Sequence, residues 1–229
     1  MQKRFALIDI KGALLNYSAD SAYYIEAIRN IFGLQLSALD LGRYAGMTAR
    51  MTAEAILKEQ GVQESMIKEK MGPFLEELQY SYNNYGGMAH IASNKSIMVG
   101  GADNTLRSIR EKGVELCVVT GELERIATLN MDRAGIKGYF DIGTYGSSGR
   151  TYADLLAAAL AAIKAKHGSV EKNDIFVLSA NPDMIAAAKS QGLKTIAVPG
   201  PESKGLMGTE ADIHTNGIKD RKIIDALTA

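Results

Sequence analysis

Short apolar runs rich in β-branched residues recur along this chain, and segments of helical period separate most of them. The runs are Phe5 to Ile10, Ser96 to Val99, Glu115 to Val119, Tyr139 to Gly143, Asp174 to Leu178 and Lys194 to Val198. Between them lie Asn104 to Lys112, Glu122 to Ala134, Ala153 to Lys166 and Pro182 to Gln191. Strands that alternate with helices of this length predict right-handed crossovers and an α/β fold, a doubly wound parallel sheet covered on both faces. Gly113, Gly135, Gly168 and Gly192 stand where these helices should stop, and Asn104, Asp154 and Asn181 stand near starts.

From Ala19 to Tyr85 the alternation breaks, and the pattern predicts four helices with no strand. They run from Asp20 to Phe32, over a short piece at Leu39 to Tyr44, from Thr48 to Gln60 with Thr48 or Thr52 as cap, and from Gln63 to Asn83. In the last, Met66, Met71, Phe74, Leu75, Leu78 and Tyr82 form one apolar face at a 3.6-residue period and read as core filling. An all-helical block inserted after the first strand predicts a cap over the sheet's carboxyl edge. The expected division is a core of residues 1–16 and 86–229 and a cap of residues 17–85, with the turn-rich Tyr82 to Gly87 as the return hinge. A last helix, Asp220 to Leu227, is expected against the sheet edge.

Composition narrows the function classes. Lys plus Arg equals Asp plus Glu, 26 each in 229 residues, so no global charge favours nucleic acid or an anionic membrane. No apolar stretch approaches a membrane span, and the run before Asp9 is too short for a signal-peptide core. The single cysteine, Cys117, excludes an internal disulfide, fits a reducing cytoplasm and reads as a small core residue. His90, His167 and His214 have no metal-ligand spacing and fall in loops or near the end of the chain, so no role is assigned to them.

In open parallel sheets ligands bind beyond the carboxyl ends of the strands, where strand order reverses. The strand tips here are Asp9-Lys11, Thr120-Gly121, Gly146 to Arg150 and Ser179-Ala180-Asn181. Residues i and i+2 of a strand point the same way, so Asp9 and Lys11 are expected to meet, a carboxylate beside an ammonium.

Asp9-Ile10-Lys11-Gly12-Ala13-Leu14 resembles the first motif of the haloacid dehalogenase superfamily, Asp-x-Asp-Gly-Thr-Leu. The four strand tips fall in the order of that family's four motifs. Gly135 to Asp141 is close to Gly-Ile-x-x-Tyr-Phe-Asp, and Ala186 to Gly192 with Thr195 to Val198 matches the last crossover, both of the phosphoglycolate-phosphatase-like branch. Tyr44 to Thr48 is similar to the segment that starts a cap helix there. The resemblance implies a Rossmann-like core with Asp9 as nucleophile, forming an acyl-phosphate. It implies Thr120 with the Gly121 amide as phosphoryl holders, and Arg150 as the cation near the reacting centre. Ser179 to Met184 stands at the fourth motif, Gly-Asp-Thr-Pro-x-Asp, so Ser179 and Asn181 would contact substrate.

The departures from that pattern bear on chemistry. Lys11 replaces the acid that would move the proton, Ala13 replaces a threonine, and Ala180 and Met184 replace the acids that would hold magnesium. Asp183 is one residue off, about 100° round a helix. The substitutions predict that no metal and no cofactor is bound in the family's way. Asp9, Lys11 and Arg150 would leave a net positive pocket for a small anionic metabolite. The first reading is therefore a degenerate family homologue that binds a small phosphate- or carboxylate-bearing metabolite. The alternative is an active hydrolase. It would be a phosphatase working through Asp9, or a metal-free 2-haloacid dehalogenase, whose Ser-Ser-Asn motif is similar to Ser179-Ala180-Asn181. A structural or partner-binding role completes the set. Tyr17, Arg43, Tyr44 and Arg50 are candidates for the cap side of the pocket. Substrate identity is not legible, and monomer and homodimer are both open.

Overall fold

The structure is a computed structural model that describes residues 3–17, 21–86, 98–200 and 206–229. Six parallel strands form one sheet in the order β3-β2-β1-β4-β5-β6. They are β1 (Phe5–Ile8), β2 (Glu115–Val119), β3 (Ile142–Thr144), β4 (Ile175–Ser179), β5 (Lys194–Ala197) and β6 (Ile213–His214). The central strands β1, β2 and β4 are buried at every position, as expected of a sheet covered on both faces.

Alternate residues of each strand serve different faces. Ala6, Ile8, Leu116, Val118 and Leu178 join a cluster with Leu106, Ala127 and Ile223. Those three come from α4 (Ala102–Glu111), α5 (Glu124–Arg133) and α8 (Lys222–Thr228). Phe5, Leu7, Cys117, Val119 and Val177 face the other way, onto Leu155, Leu156, Met184 and Ala188. These belong to α6 (Tyr152–His167) and α7 (Pro182–Ser190). Cys117 is buried, and burial pushes its thiol up to about 12, consistent with an inert core residue.

Between β1 and α4 lie α1 (Ala22–Phe32), a 3-10 turn at Leu41–Tyr44, α2 (Ala49–Glu59) and α3 (Glu64–Ser81). They share an apolar cluster that includes Tyr24, Ile28, Ile56, Phe74 and Leu78, joined by Leu123 and Ile126 from the loop and helix after β2. Phe74 stacks edge-on against Tyr24 and Phe32, with centroids 6.5 and 5.4 Å apart. Met66, expected on this apolar face, is exposed instead.

Several boundaries differ from the sequence expectation. Tyr82–Gly86 forms a π-helical turn that prolongs α3 rather than an open hinge, and Gly87 lies outside the described residues. Of the expected run Ser96 to Val99, Ser96 and Ile97 also lie outside them, and Met98 bridges Leu15 in antiparallel fashion. The Tyr139 to Gly143 run splits into a 3-10 turn at Lys137–Tyr139 and the short β3. β6 was not expected, and it takes His214 out of the loops. His90 lies outside the described residues.

Helix starts follow side-chain chemistry. Thr48 Oγ1 accepts from the Met51 amide to cap α2, and Asn181 Oδ1 accepts from the Asp183 amide to cap α7. Thr151 and Asp154 form a reciprocal capping box at α6.

Candidate functional site

The chain runs out along β1, β2 and β3 on one side of the sheet and along β4, β5 and β6 on the other. The order therefore reverses between β1 and β4, and there a cavity of about 850 Å³ opens beneath the cap helices. Asp9, Thr120, Gly121, Ala180 and Asn181 all line it.

Asp9 follows directly on β1 and is 4% exposed. Its amide donates to Leu178 O at 2.9 Å, which extends the pairing with β4 and fixes the backbone. Ser179 Oγ donates to Asp9 Oδ2 at 3.0 Å, and the same Oγ accepts from the Asn181 amide at 2.9 Å. Burial pushes the Asp9 carboxyl up to about 7, against the hydrogen bonds of Ser179 and Thr120; Glu122 pushes the same way as burial, and Lys11 opposes it last and least. Burial thus favours the protonated form of Asp9 over the ionised one.

Thr120 is 1% exposed and its amide donates to Thr144 O at 3.0 Å. It is not a helix cap, since α5 begins at Glu124 after Leu123. Gly121 is the point where the cap meets the sheet. Its carbonyl accepts from the Ala49 amide at 2.8 Å, and a Cβ there would lie 3.0 Å from both Thr48 Cα and the Tyr152 hydroxyl oxygen. Asn181 completes the contact. Its Nδ2 donates to Gly46 O at 3.1 Å and to the Tyr152 hydroxyl at 2.7 Å.

Neither expected cation is ion-paired with Asp9 among the described residues, although Lys11 lines the same chamber. Lys11 does not continue the strand, because the Leu14 and Leu15 amides both donate to Ile10 O and fold the chain into a turn. Its ammonium lies 3.7 Å from Glu122 Oε1 and 5.4 Å from the Tyr17 ring centroid, and its side chain is 44% exposed. Among the described residues no ion pair joins it to Asp9. Arg150 does not line the cavity. Its Nε donates to Glu54 Oε2 on α2 at 2.7 Å, and its carbonyl accepts from Thr48 Oγ1 at 2.5 Å. A carboxylate on the cap draws the guanidinium away from the sheet tips. Arg43 and Arg50 are likewise held by Glu59 and Glu54, whereas Tyr17 and Tyr44 do line the cavity.

The expected positive balance is therefore corrected. Among the described residues the ionisable groups lining the chamber, tyrosines aside, are Asp9, Glu122 and Asp183 against Lys11. Glu122 escaped sequence reasoning because it reads as the first residue of a helix. Its position two residues beyond Thr120, at a strand tip, was the available signal.

Magnesium prefers near-octahedral oxygen ligation with one or two carboxylates, water and substrate phosphate. Here Asp9 is the carboxylate on the sheet. Ala180 offers a methyl group, and Met184 is fully buried among the side chains beneath α7. Asp183 lies on the exposed rim. Among the described residues no three His, Cys, Asp or Glu side chains gather as a metal set. The two positions where the resemblance places metal-holding acids, Ala180 and Met184, therefore offer no carboxylate.

Residues 6–198 match the family described as haloacid dehalogenase-like hydrolase. No curated protein matches the chain. Among solved structures, a hydrolase from Pseudomonas syringae is similar at 15% identity and a TM-score of 0.67, covering 99% of this chain and 100% of that one. A protein from Haemophilus somnus, described as a predicted phosphoglycolate phosphatase, has 19% identity and a TM-score of 0.67 over 98% and 99% of the two chains. The β-phosphoglucomutase of a Pyrococcus species has 20% identity and a TM-score of 0.53 over 93% and 92%. At these identities the likeness is one of fold. A doubly wound sheet with Asp9 at its switch point and the family match over most of the sequence lead to one conclusion: the chain belongs to the haloacid dehalogenase-like hydrolase family.

Proposed function

We propose that this chain binds a small phosphate- or carboxylate-bearing metabolite in the chamber beneath its helices, without working as a magnesium-dependent phosphatase. One observation carries the reading: both basic side chains are diverted from Asp9, Lys11 to Glu122 and Arg150 to Glu54. A buried carboxyl raised to about 7, with no ion pair to a cation among the described residues, is poorly set to attack an anionic phosphoryl group. Once protonated it becomes a hydrogen-bond donor suited to an anion. The acidic group of the metabolite would then meet Asp9, the Thr120 hydroxyl and the Gly121 amide. The division into a core of residues 1–16 and 86–229 and a cap of 17–85 belongs to this proposal. So does the view that no metal is required.

A second reading, an active phosphatase acting through an Asp9 acyl-phosphate, is supported by the hydroxyls of Ser179 and Thr120 around Asp9 at the sheet's switch point. Hydrolysis of p-nitrophenyl phosphate with magnesium, in wild type and Asp9→Asn, separates the two. The binding reading expects equal background rates. A rate above background that Asp9→Asn abolishes favours the phosphatase.

A further inference from the structure

Resting on the reading of the chamber as a metabolite site, we infer that its tyrosine-lined side takes an ammonium group of the ligand, with Glu122 as counter-ion. The site is then one for an amine-bearing, zwitterionic metabolite rather than a doubly anionic one.

Two groups in the chamber have no side-chain hydrogen-bond partner among the described residues. The Glu122 carboxylate, 22% exposed, accepts no hydrogen bond among the described residues, and its one ionic contact is Lys11 at 3.7 Å. That is too long for a hydrogen bond. An ionised carboxylate offers about four acceptor sites, so this one is open to donors from the cavity. The second group is Tyr17, which is 8% exposed and whose hydroxyl is buried with no hydrogen-bond partner. A buried hydroxyl left unpaired is unfavourable, and a phenol oxygen can accept from a ligand N–H.

The aromatic surroundings fit a cation. Tyr17, Tyr23 and Tyr24 line the cavity with Leu123 and Ile126. Glu122 is close enough to push up the phenols of Tyr17, Tyr23 and Tyr24, each of which burial raises most. The Lys11 ammonium lies over the Tyr17 ring and toward Glu122, so the protein itself shows an alkylammonium accommodated between these groups. Aromatic faces and a carboxylate both favour cations. A second carboxylate or phosphate placed beside Glu122 would meet like charge. Thr120 and Glu122 are two residues apart at the tip of β2, so a ligand with a short linker reaches both.

Two phosphate monoesters of equal carbon count isolate the end group: O-phosphoethanolamine ends in an ammonium and 2-phosphoglycolate in a carboxylate. Calorimetric titration of each into wild type and Glu122→Gln tests the inference. O-phosphoethanolamine should bind about tenfold or more tightly than 2-phosphoglycolate, the scale of a charge-assisted hydrogen bond. Glu122→Gln should remove that preference while still binding 2-phosphoglycolate. Equal or tighter binding of 2-phosphoglycolate to wild type overturns the ammonium site and leaves the metabolite reading standing. Absence of binding by both overturns the two together. A preference that survives in Glu122→Gln overturns the assignment to Glu122.

Discussion

Arg150 Nε donates to Glu54 Oε2 at 2.7 Å, tying the loop before α6 to helix α2 of the cap. With the Thr48 hydroxyl on Arg150 O, the Ala49 amide on Gly121 O and Asn181 Nδ2 on Gly46 O, it closes the chamber on one side. Arg150→Ala should therefore act on this closure rather than on ligand charge. Hydrogen exchange of the α2 amides should quicken, while global stability changes by less than about 1 kcal/mol, as for other exposed ion pairs. Ligand affinity should fall far less than for changes at Thr120. A loss of anion binding equal to that of a Thr120 variant would place the guanidinium back at the reacting centre.

Asp9 sets a pH dependence of stability. Its carboxyl is raised to about 7 in the folded chain, so the folded state holds the proton more tightly than the unfolded one. Stability from this group is fully present below the ordinary carboxylate value and is lost as pH rises through about 7. At roughly 1.4 kcal/mol per pH unit, the ionised form costs at most about 4 kcal/mol. Asp9→Asn should be more stable than wild type at pH 8, with the advantage shrinking below pH 7. Chemical denaturation at pH 5, 6, 7 and 8 measures it; a constant difference across the series refutes the assignment.

At the opposite, amino end of the strands Glu115 behaves inversely. It is 7% exposed, and burial alone would push its carboxyl up. Lys3, Lys166 and His167 outweigh this and hold it down to about 2. Lys166 Nζ and His167 Nε2 both lie 3.0 Å from Oε1. This stability is present above the ordinary carboxylate range and lost as pH falls through about 2. Glu115→Gln should cost on the order of 2 kcal/mol at pH 7, and the difference from wild type should vanish in strong acid. An unchanged melting temperature at pH 7 would show the cluster to be inert.

The fold was legible because parallel strands buried on both faces must be nearly continuous apolar runs. Phe5–Ile8, Glu115–Val119 and Ile175–Ser179 are such runs, with few competing interpretations. That Thr48 and Asn181 cap helices and that Gly121 and Ser179 stand at strand tips was legible because such features are local. The directions of Lys11 and Arg150 were not legible because they depend on partners distant in sequence. Glu122 draws one, and Glu54, 96 residues away, holds the other. The turn at Ile10 that lifts Lys11 off the strand line also has no strong local signal. Short β6, at the sheet edge, has only two residues and so no period to detect.

The same geometry decides how the missing acids can be restored. Ala180 is nearly buried yet lines the cavity, so an aspartate there faces the chamber. Met184 lies at 0% exposure in the apolar cluster beneath α7, where an unpaired carboxylate would be strongly destabilising. Lys11→Asp with Ala180→Asp should fold and gain magnesium binding over wild type by calorimetry. The triple variant that adds Met184→Asp should lose stability without further gain. A triple variant as stable as the double would contradict this placement of Met184.

The most direct test of the central claim is calorimetric titration of magnesium into the wild-type chain, with and without inorganic phosphate. With Ala180 and Met184 at the two positions where the family's acids would hold the metal, no saturable heat is expected in either case. Stoichiometric magnesium binding that phosphate tightens and Asp9→Asn abolishes would contradict the account.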